Sequence, residues 1–120
     1  MLPSHSDSRL AHHAGRSYYG ELLEAGVRIF ERNDRMLHAK AAIVDGVWST
    51  VGSTNLDWRS LLYNDEINVV VIGPGFAKQM STVFDRDLAE SEEITPRKWR
   101  ERSLQNRIKE FAARMWARLL

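Results

Sequence analysis

The chain has 120 residues, of which 43% are hydrophobic and 28% charged, a composition typical of one small globular domain. It contains no cysteine, which excludes a disulfide framework and a thiolate metal site. The net charge of +1 hides an asymmetry: residues 1–96 hold 9 basic and 14 acidic side chains, whereas residues 97–120 hold 8 and 2. An anionic partner is therefore expected at the C-terminal end, and the acidic body makes nucleic acid an unlikely partner.

The first quarter of the chain predicts a loop, a helix and a strand. Residues 2–7 are typical of a loop, and residues 8–25 predict a helix ending before Gly26. The helix is indicated by apolar or half-apolar side chains at helical spacing, namely Leu10, Ala14, Tyr18, Leu22 and Ala25. Residues 27–30 predict a short strand, and residues 31–36 a polar turn.

A β-hairpin is predicted next, because two apolar runs, residues 39–44 and 47–51, are joined by Asp45-Gly46. An Asp-Gly pair between strand-like runs favours a type I′ turn, in which both central residues have positive φ. Asp45 then lies in the turn, away from the residues at the open end of the hairpin.

The strand register of this hairpin predicts a cluster of polar side chains. If the loop has only two residues, Lys40 pairs with Val51 and His38 with Ser53. Paired residues share a face and side chains alternate, so His38, Lys40 and Ser53 point the same way, with Asn55 close behind. An imidazole can act as a nucleophile or a general acid and base, while ammonium, hydroxyl and amide groups suit a phosphate. The hairpin is therefore a candidate phosphate-handling site.

The remaining elements alternate between strand and helix. Residues 55–64 predict an irregular segment with a helical turn, and residues 67–72 a strand buried on both faces. Residues 76–88 predict a second helix, and residues 90–95 an acidic linker. Thr95-Pro96 can cap and begin a final helix.

Residues 95–120 predict a basic amphipathic helix that is separate from residues 1–94. Its apolar stripe consists of Trp99, Leu104, Ile108, Phe111, Met115 and Leu119. Three alternatives stay open: the stripe packs on the domain, it lies on an anionic membrane, or the helix binds nucleic acid.

The hairpin and the residues after it contain a motif that resembles the HKD signature of the phospholipase D superfamily at every defined position. The motif is His38-x-Lys40-(x4)-Asp45-(x6)-Gly52-Ser53-x-Asn55. The sequence on either side of the motif is similar to the C-terminal half of bacterial cardiolipin synthases. The flanking residues that carry this likeness are Tyr18-Tyr19, Leu22-Leu23, Ala25-Gly26-Val27, Asn55-Leu56-Asp57, Arg59-Ser60, Asn64 and Glu66.

The resemblance implies an α/β fold, with a mixed β-sheet flanked by helices, that forms one half of a two-lobed enzyme. Residues 1–94 would be a catalytic half-domain with one HKD motif. Because Met1 stands almost at the first proline, we expect the chain to begin at an internal methionine. The implied mechanism passes through a phosphohistidine and uses no metal and no cofactor. A second HKD half, from the parent chain or a second copy, would be needed, so the isolated chain is expected to be inactive.

The resemblance also implies roles for individual residues. The catalytic set would be His38, Lys40 and Glu66, with Glu66 bonded to the far ring nitrogen of His38. His38 is assigned the general acid and base role, and the reverse assignment, as nucleophile, stays open. Phosphate contacts are expected from Ser53 and Asn55. The structural positions of the motif are Asp45, Gly46 and Gly52, and positions at the substrate rim are Trp58, Arg59 and Asn64.

The function implied is a phosphatidyltransferase that joins two phosphatidylglycerols and releases glycerol. Its partners would be an anionic phospholipid and the membrane surface, with peripheral attachment to the cytoplasmic face of the inner membrane. Two alternatives stay open: a one-motif homodimeric phosphodiesterase or nuclease, and a truncated, non-catalytic lipid-binding domain.

Overall fold

The computed structural model describes residues 1–5, 9–33 and 37–117, with only the backbone described at positions 58, 59 and 117. The chain forms two compact units. The terminal unit comprises Met1–Leu37 and Glu90–Leu120, and the insert unit comprises His38–Ala89. In the part of the chain that the structure describes, every helix is too short or too polar to cross a bilayer.

The described residues form six strands and six helices. The strands are β1 Leu2–Pro3, β2 Ile29–Arg32, β3 Lys40–Val44, β4 Trp48–Gly52, β5 Asn68–Ile72 and β6 Ser91–Ile94. The helices are α1 Arg9–Arg16, α2 Tyr19–Glu24, α3 Trp58–Leu62, α4 Pro74–Ala89, α5 Pro96–Arg100 and α6 Leu104–Ala117. The predicted α/β class is confirmed, although the strands form two sheets rather than one.

The sheet of the terminal unit is mixed, in the order β1-β2-β6, with β1 parallel and β6 antiparallel to β2. Two predictions are wrong here: the predicted loop over residues 2–7 begins with the strand β1, and the predicted linker over residues 90–95 contains the strand β6. The acidic segment can pair because Ile94 is buried in the core, while Arg28 holds Glu93 at 2.9 Å and Lys98 holds Glu92 at 2.8 Å. These cations offset the negative charge of the segment, which was the reason for predicting a linker.

The core of the terminal unit is small and built around two aromatic rings. Tyr19 and Trp99 lie 5.2 Å apart between ring centroids, and Ile29 and Ile94 pack with them. Contact with this core raises the pKa of Tyr19, because burial disfavours the phenolate and the Glu31 carboxylate repels it.

The strand β2 extends further than predicted, since Glu31 and Arg32 belong to it and not to a polar turn. Both side chains are buried and both are paired, Glu31 with Arg16 and Arg32 with Glu90. A buried charge is tolerated only when it is paired in this way. Residues 34–36 of the predicted turn lie outside the described residues.

The predicted helix over residues 8–25 is divided into α1 and α2, and Ser8 lies outside the described residues. The break falls at Ser17, whose hydroxyl donates to the Ala14 carbonyl oxygen at 2.6 Å. Such a bond competes with helix propagation. The predicted stop at Gly26 is confirmed: its φ is 82°, and the Val27 amide donates to the Leu22 carbonyl at 2.9 Å, which closes the helix end.

The single helix predicted from residue 96 is also two helices, α5 and α6. The predicted start is confirmed, because the Thr95 hydroxyl accepts from the Lys98 amide at 3.3 Å and Pro96 occupies the first turn. A second start follows at Ser103, whose hydroxyl accepts from the Asn106 amide at 3.3 Å.

The insert unit is an antiparallel sheet in the order β3-β4-β5, with α4 packed against it. The prediction that residues 67–72 are buried on both faces is wrong. The strand β5 lies at the sheet edge, and Val69 and Ile72 are 60% and 75% exposed. An all-apolar run is ambiguous from sequence, because it also occurs in a strand whose apolar surface is left uncovered within the chain.

Candidate active site

Asp45 and Gly46 form the turn between β3 and β4, as predicted, but the loop has one residue more than predicted. Asp45 and Gly46 have φ values of 53° and 65°, both positive, as a type I′ turn requires. The ladder, however, pairs Val44 with Trp48, so Val47 is an extra residue between the turn and the strand. The assumption of a two-residue loop is therefore wrong.

The extra residue shifts the strand pairing by one position. Lys40 faces Gly52 rather than Val51, and the predicted partnership of His38 with Ser53 is wrong for the same reason. Gly52 is the last residue of β4, and Ser53 lies in the bend that follows. Strand pairing with β3 therefore does not decide where the Ser53 side chain points.

The position of Ser53 is set instead by bonds to the residues that lead into β5. Its amide donates to the Ile67 carbonyl at 3.0 Å, and its oxygen accepts from the Ile67 amide at 3.0 Å. The Ser53 hydroxyl also donates to the Glu66 carboxylate. The serine of the motif is thus joined to the predicted catalytic carboxylate.

Glu66 is the point at which several polar groups of the site meet. Its pKa is lowered by hydrogen bonds from Ser53, then Ser60, then Asn64, and by the positive charge of Lys40, while partial burial acts in the opposite direction. The Asn64 amide nitrogen lies 3.4 Å from the carboxylate. The carboxylate is therefore held ionised, with the charge of Lys40 acting in the same direction as its hydrogen bonds.

Asn55 reaches the same network through a serine that the sequence reasoning did not assign to the site. Its amide nitrogen lies 3.4 Å from the hydroxyl of Ser60, a buried residue that also bonds Glu66. The Ser60 amide donates to the Asp57 carboxylate at 2.8 Å, which begins α3. An aspartate that precedes a helical turn is a helix-start signal, which could have located the start of α3 but not the contact of Ser60 with the site.

His38 and Lys40 stand at the open end of the hairpin, next to each other along the same edge. The Lys40 ammonium donates to the His38 carbonyl at 2.8 Å, and the His38 side chain is exposed. Among the described residues, no hydrogen bond joins the His38 ring to Glu66. The His38–Glu66 pair stays a prediction, as do the rim roles of Trp58 and Arg59, whose side chains lie outside the described set.

Gly52 permits a close approach between the backbones of β4 and the segment that leads into β5. A Cβ on this residue would lie 2.7 Å from the Cα of Asn68, and closer still to the Asn68 amide oxygen and the Ile67 carbonyl. Asn68 in turn donates to the Thr54 hydroxyl at 2.5 Å. The sequence reasoning missed this Thr54–Asn68 bond. The signal that could have indicated it is the polar Asn68 at the start of an otherwise apolar strand.

Asp45 lies at the opposite end of β3 from Lys40. Asp45 is five residue steps along the extended chain from Lys40, which corresponds to roughly 17 Å. Asp45 is exposed in the turn, where it has one of the two positive φ values. Asp45 thus lies in the turn, as predicted, and the expectation that it does not contact a phosphate stays a prediction.

The site therefore offers an exposed imidazole, an ammonium group, and a network of hydroxyl and amide groups around an ionised carboxylate. Such a set can move a proton and neutralise a phosphate. Within the described residues, no group of three or more histidine, aspartate or glutamate side chains is placed to hold a metal ion.

Comparisons with known proteins agree on one family. Residues 1–88 match the family model described as "Cardiolipin synthase, PLD-like domain". Cardiolipin synthase A of Serratia proteamaculans is 42% identical over 110 residues, covering 92% of this chain and 23% of that protein. Cardiolipin synthase A of Proteus mirabilis is 41% identical over 120 residues, covering all of this chain and 25% of that protein.

The chain spans about a quarter of the length of the curated relatives it matches. Among solved structures, none matches it significantly. The family model covers well over half of the chain, including the HKD motif and its flanks. The chain therefore belongs to the cardiolipin synthase family of phospholipase D-like domains.

Proposed function

We propose that this chain supplies one of the two HKD motifs of a phosphatidyltransferase that converts two phosphatidylglycerols into cardiolipin and glycerol. The second motif would come from another phospholipase D-like half. Membership of the cardiolipin synthase family supports this substrate class. The isolated chain would be inactive, because it holds a single HKD motif.

The observation that carries the proposal is the cluster around Glu66. Lys40, Ser53 and Glu66 come together although they belong to three separate segments of the chain, and the exposed His38 ring is two residues from Lys40. A surface cluster with a purely structural role would not need an exposed imidazole beside an ammonium group.

The proposed reaction has two steps. In the first, an imidazole of the partner half attacks the phosphorus of one phosphatidylglycerol, so that a nitrogen–phosphorus bond forms and the bond to the glycerol oxygen breaks. His38, as the imidazolium, gives its proton to that leaving oxygen. In the second step, neutral His38 takes the proton from a glycerol hydroxyl of the second phosphatidylglycerol, whose oxygen attacks phosphorus and displaces the partner imidazole.

Lys40 and Glu66 have complementary parts in this scheme. The Lys40 ammonium offsets the negative charge that grows on the phosphate oxygens as the trigonal bipyramidal transition state forms. The low pKa of Glu66 keeps this carboxylate ionised, so that it holds a negative charge in the site. Asn55 would donate a hydrogen bond to the phosphate, and Ser53 would do so by turning toward it the hydroxyl that it donates to Glu66 in the free chain.

The test is a chimera in which this chain replaces the aligned segment of Proteus mirabilis cardiolipin synthase A. We expect the chimera to form cardiolipin and glycerol from phosphatidylglycerol vesicles. Thin-layer chromatography of the lipids detects the cardiolipin. The variants His38→Ala and Lys40→Ala should each lower the rate at least 10²-fold, in the range that loss of an acid–base or electrostatic group causes.

Lys78→Ala is the matched control for Lys40→Ala, because Lys78 is an exposed lysine on α4 of the same unit. The control should keep the rate of the unmodified chimera. A folded chimera that makes no transphosphatidylation product, or a His38→Ala chimera as active as its parent, would overturn the proposal.

A further inference from the structure

Ser53 and Ser60 hold the same carboxylate but differ in what else they can reach. Both hydroxyls hydrogen-bond to Glu66. Ser53 is exposed in the bend after β4, whereas Ser60, on α3, is 5% exposed. An exposed hydroxyl can turn toward a ligand that arrives from solvent, and a buried one cannot. Ser53 is therefore the serine that is able to leave Glu66, and Ser60 is the serine that stays.

The hydroxyl of Ser53 can leave Glu66 without any movement of its oxygen atom. That oxygen accepts from the Ile67 amide at 3.0 Å, and the Ser53 amide donates to the Ile67 carbonyl at 3.0 Å. Rotation about the bond between Cβ and Oγ redirects only the hydrogen. A phosphate that takes this hydrogen bond would then remove one of the groups that hold Glu66.

Ser60 is held at its backbone as well as at its hydroxyl. Its amide donates to the Asp57 carboxylate at 2.8 Å, and the Leu61 amide donates to the Asp57 carbonyl at 3.1 Å. These bonds form the first turn of α3. Because the backbone of Ser60 is held independently of its hydroxyl, loss of the hydroxyl alone leaves the helix start in place.

The hydroxyl of Ser60 also sets which way the Asn55 amide faces. A hydroxyl has one hydrogen to donate, and Ser60 gives it to Glu66, since a carboxylate can only accept. The group of Asn55 that meets the Ser60 oxygen must then be a donor, and it is the amide nitrogen, at 3.4 Å. Asn55 is exposed, and the same nitrogen carries a second N–H that can meet an acceptor in solvent.

We propose that Ser60 is a positioning residue of this site. Its buried hydroxyl keeps Glu66 in place, and keeps an Asn55 N–H directed at the phosphate, while the Ser53 hydroxyl turns from Glu66 to that phosphate. This inference rests on the proposed function, whose substrate is a phosphodiester. Ser60 itself does not contact the substrate, because its hydroxyl is buried and is already bonded on both sides.

A Ser60 with a purely structural role would behave differently in a measurable way. If its hydroxyl only filled space beside α3, removing it would change the stability of the insert unit and leave the titration of Glu66 as it was. If the hydroxyl holds Glu66, removing it raises the pKa of Glu66, because the ionised form loses a donor. The Glu66 carboxyl therefore reports the positioning role directly.

The experiment is carbon-13 NMR titration of the Glu66 side-chain carboxyl in the 120-residue chain, with the signal assigned by its loss in Glu66→Gln. We expect Ser60→Ala to raise the pKa of Glu66. Ser53→Ala imitates the state in which Ser53 has turned away, and it should raise this pKa as well. The double variant should raise it further than either single variant. An unchanged pKa in Ser60→Ala, or a double variant that titrates like Ser53→Ala, would overturn the proposal.

Ser49→Ala is the matched control, because it makes the same chemical change at another buried serine of the insert unit. Ser49 is 0% exposed on β4, and among the described residues its hydroxyl has no hydrogen-bond partner. This variant should leave the pKa of Glu66 unchanged, and an equal rise would contradict the assignment. If circular dichroism shows that Ser60→Ala does not fold, Ser60→Cys takes its place: a thiol donates only weakly, so the pKa of Glu66 should again rise.

Failure of this inference can be told apart from failure of the proposed function. In the chimera, Ser60→Ala should lower kcat roughly tenfold to hundredfold, the equivalent of one hydrogen bond to a charged group, and Ser49→Ala should not. A chimera that makes no cardiolipin contradicts the proposed function, while the carboxyl titration still tests the hold of Ser60 on Glu66. Transfer that requires His38 but not Ser60 contradicts the positioning role alone.

Discussion

At the scale of single residues, the motif glycine illustrates how a sequence signature reports geometry. Gly52 has no room for a side chain because the backbone of β5 passes directly over its α-carbon. This approach brings the Ser53 backbone within hydrogen-bonding distance of Ile67, and hence its hydroxyl to Glu66. The glycine therefore supports the site by allowing two strands to meet where the polar groups converge.

Gly52→Ala is expected to destabilise the insert unit by about 1–3 kcal/mol, because the added methyl group forces the β4 and β5 backbones apart. Urea unfolding followed by circular dichroism measures the change. Gly75→Ala is the matched control, since Gly75 lies in the first turn of α4 with no atom within 4 Å of the added methyl group. The control should be neutral or slightly stabilising. Equal behaviour of the two variants would contradict the close approach.

The acid–base assignment of His38 also belongs to this scale. A general acid is needed only when the leaving oxygen is too basic to depart unprotonated. We expect the His38→Ala chimera to release nitrophenol from phosphatidyl-nitrophenol at a near-normal rate in its first turnover, while phosphatidylglycerol stays unreactive. Rapid-quench measurement of the nitrophenol burst checks this. A His38→Ala chimera without any burst would instead identify His38 as the nucleophile.

At the scale of elements, a buried ionic network contributes to the contact between α1 and α6, next to the buried Ala113. Glu110 accepts from Arg102 at 2.9 Å and from Arg16 at 3.5 Å, and Arg16 also pairs with Glu31 on β2. The Arg102 guanidinium stacks over Trp99, 3.8 Å from the ring centroid. This network is what leaves the apolar side of α6 free to face outward.

Glu110→Ala should therefore destabilise the terminal unit by about 3–5 kcal/mol, because two partly buried guanidinium groups lose their shared carboxylate. Glu101→Ala is the control: that carboxylate is exposed and pairs only with the exposed Arg97, so its loss should cost less than about 1 kcal/mol. Thermal unfolding of both variants measures the difference. A cost of under 1 kcal/mol for Glu110→Ala would show that the network does not hold the helices together.

At the scale of the whole molecule, elements defined by local signals were predictable from sequence, whereas pairing between distant segments was not. The Gly26 stop, the Thr95-Pro96 start and the Asp45-Gly46 turn each depend on a few adjacent residues, and all three are confirmed. Pairing of the acidic strand β6 with β2 depends on cations far away in the sequence, such as Arg28. No local pattern could have predicted it.

The candidate site divides in the same way. Its motif residues could be identified because their spacing is fixed. The hairpin loop, however, is one residue longer than assumed, so the strand partners predicted for Lys40 and His38 were wrong. The role of Ser60 depends on a bond from α3 to Glu66, which spacing alone does not reveal. Motif identity was therefore predictable, and the contacts that connect the motif were not.

The exposed apolar edge of the insert unit leads us to predict that the whole chain self-associates. The strand β5 is an edge strand with large exposed apolar side chains, a surface prone to pair with another copy. We expect the isolated chain to self-associate as its concentration rises, and Val69→Lys to reduce this, as measured by light scattering. Val27→Lys, at a similarly exposed valine of the terminal unit, should leave self-association unchanged. Equal effects of the two variants would contradict pairing through β5.

The division into units also affects how the chain is made. The terminal unit is built from two stretches separated by the entire insert unit, and β2 cannot meet β6 until the second stretch has left the ribosome. The insert unit is continuous and its strands pair with near neighbours, so it can fold while synthesis is still under way. Glu90–Leu120, translated after the insert unit, therefore completes the unit that contains Met1–Leu37, and a ribosome that stops within the insert unit would leave Tyr19 and Ile29 without the partners that bury them.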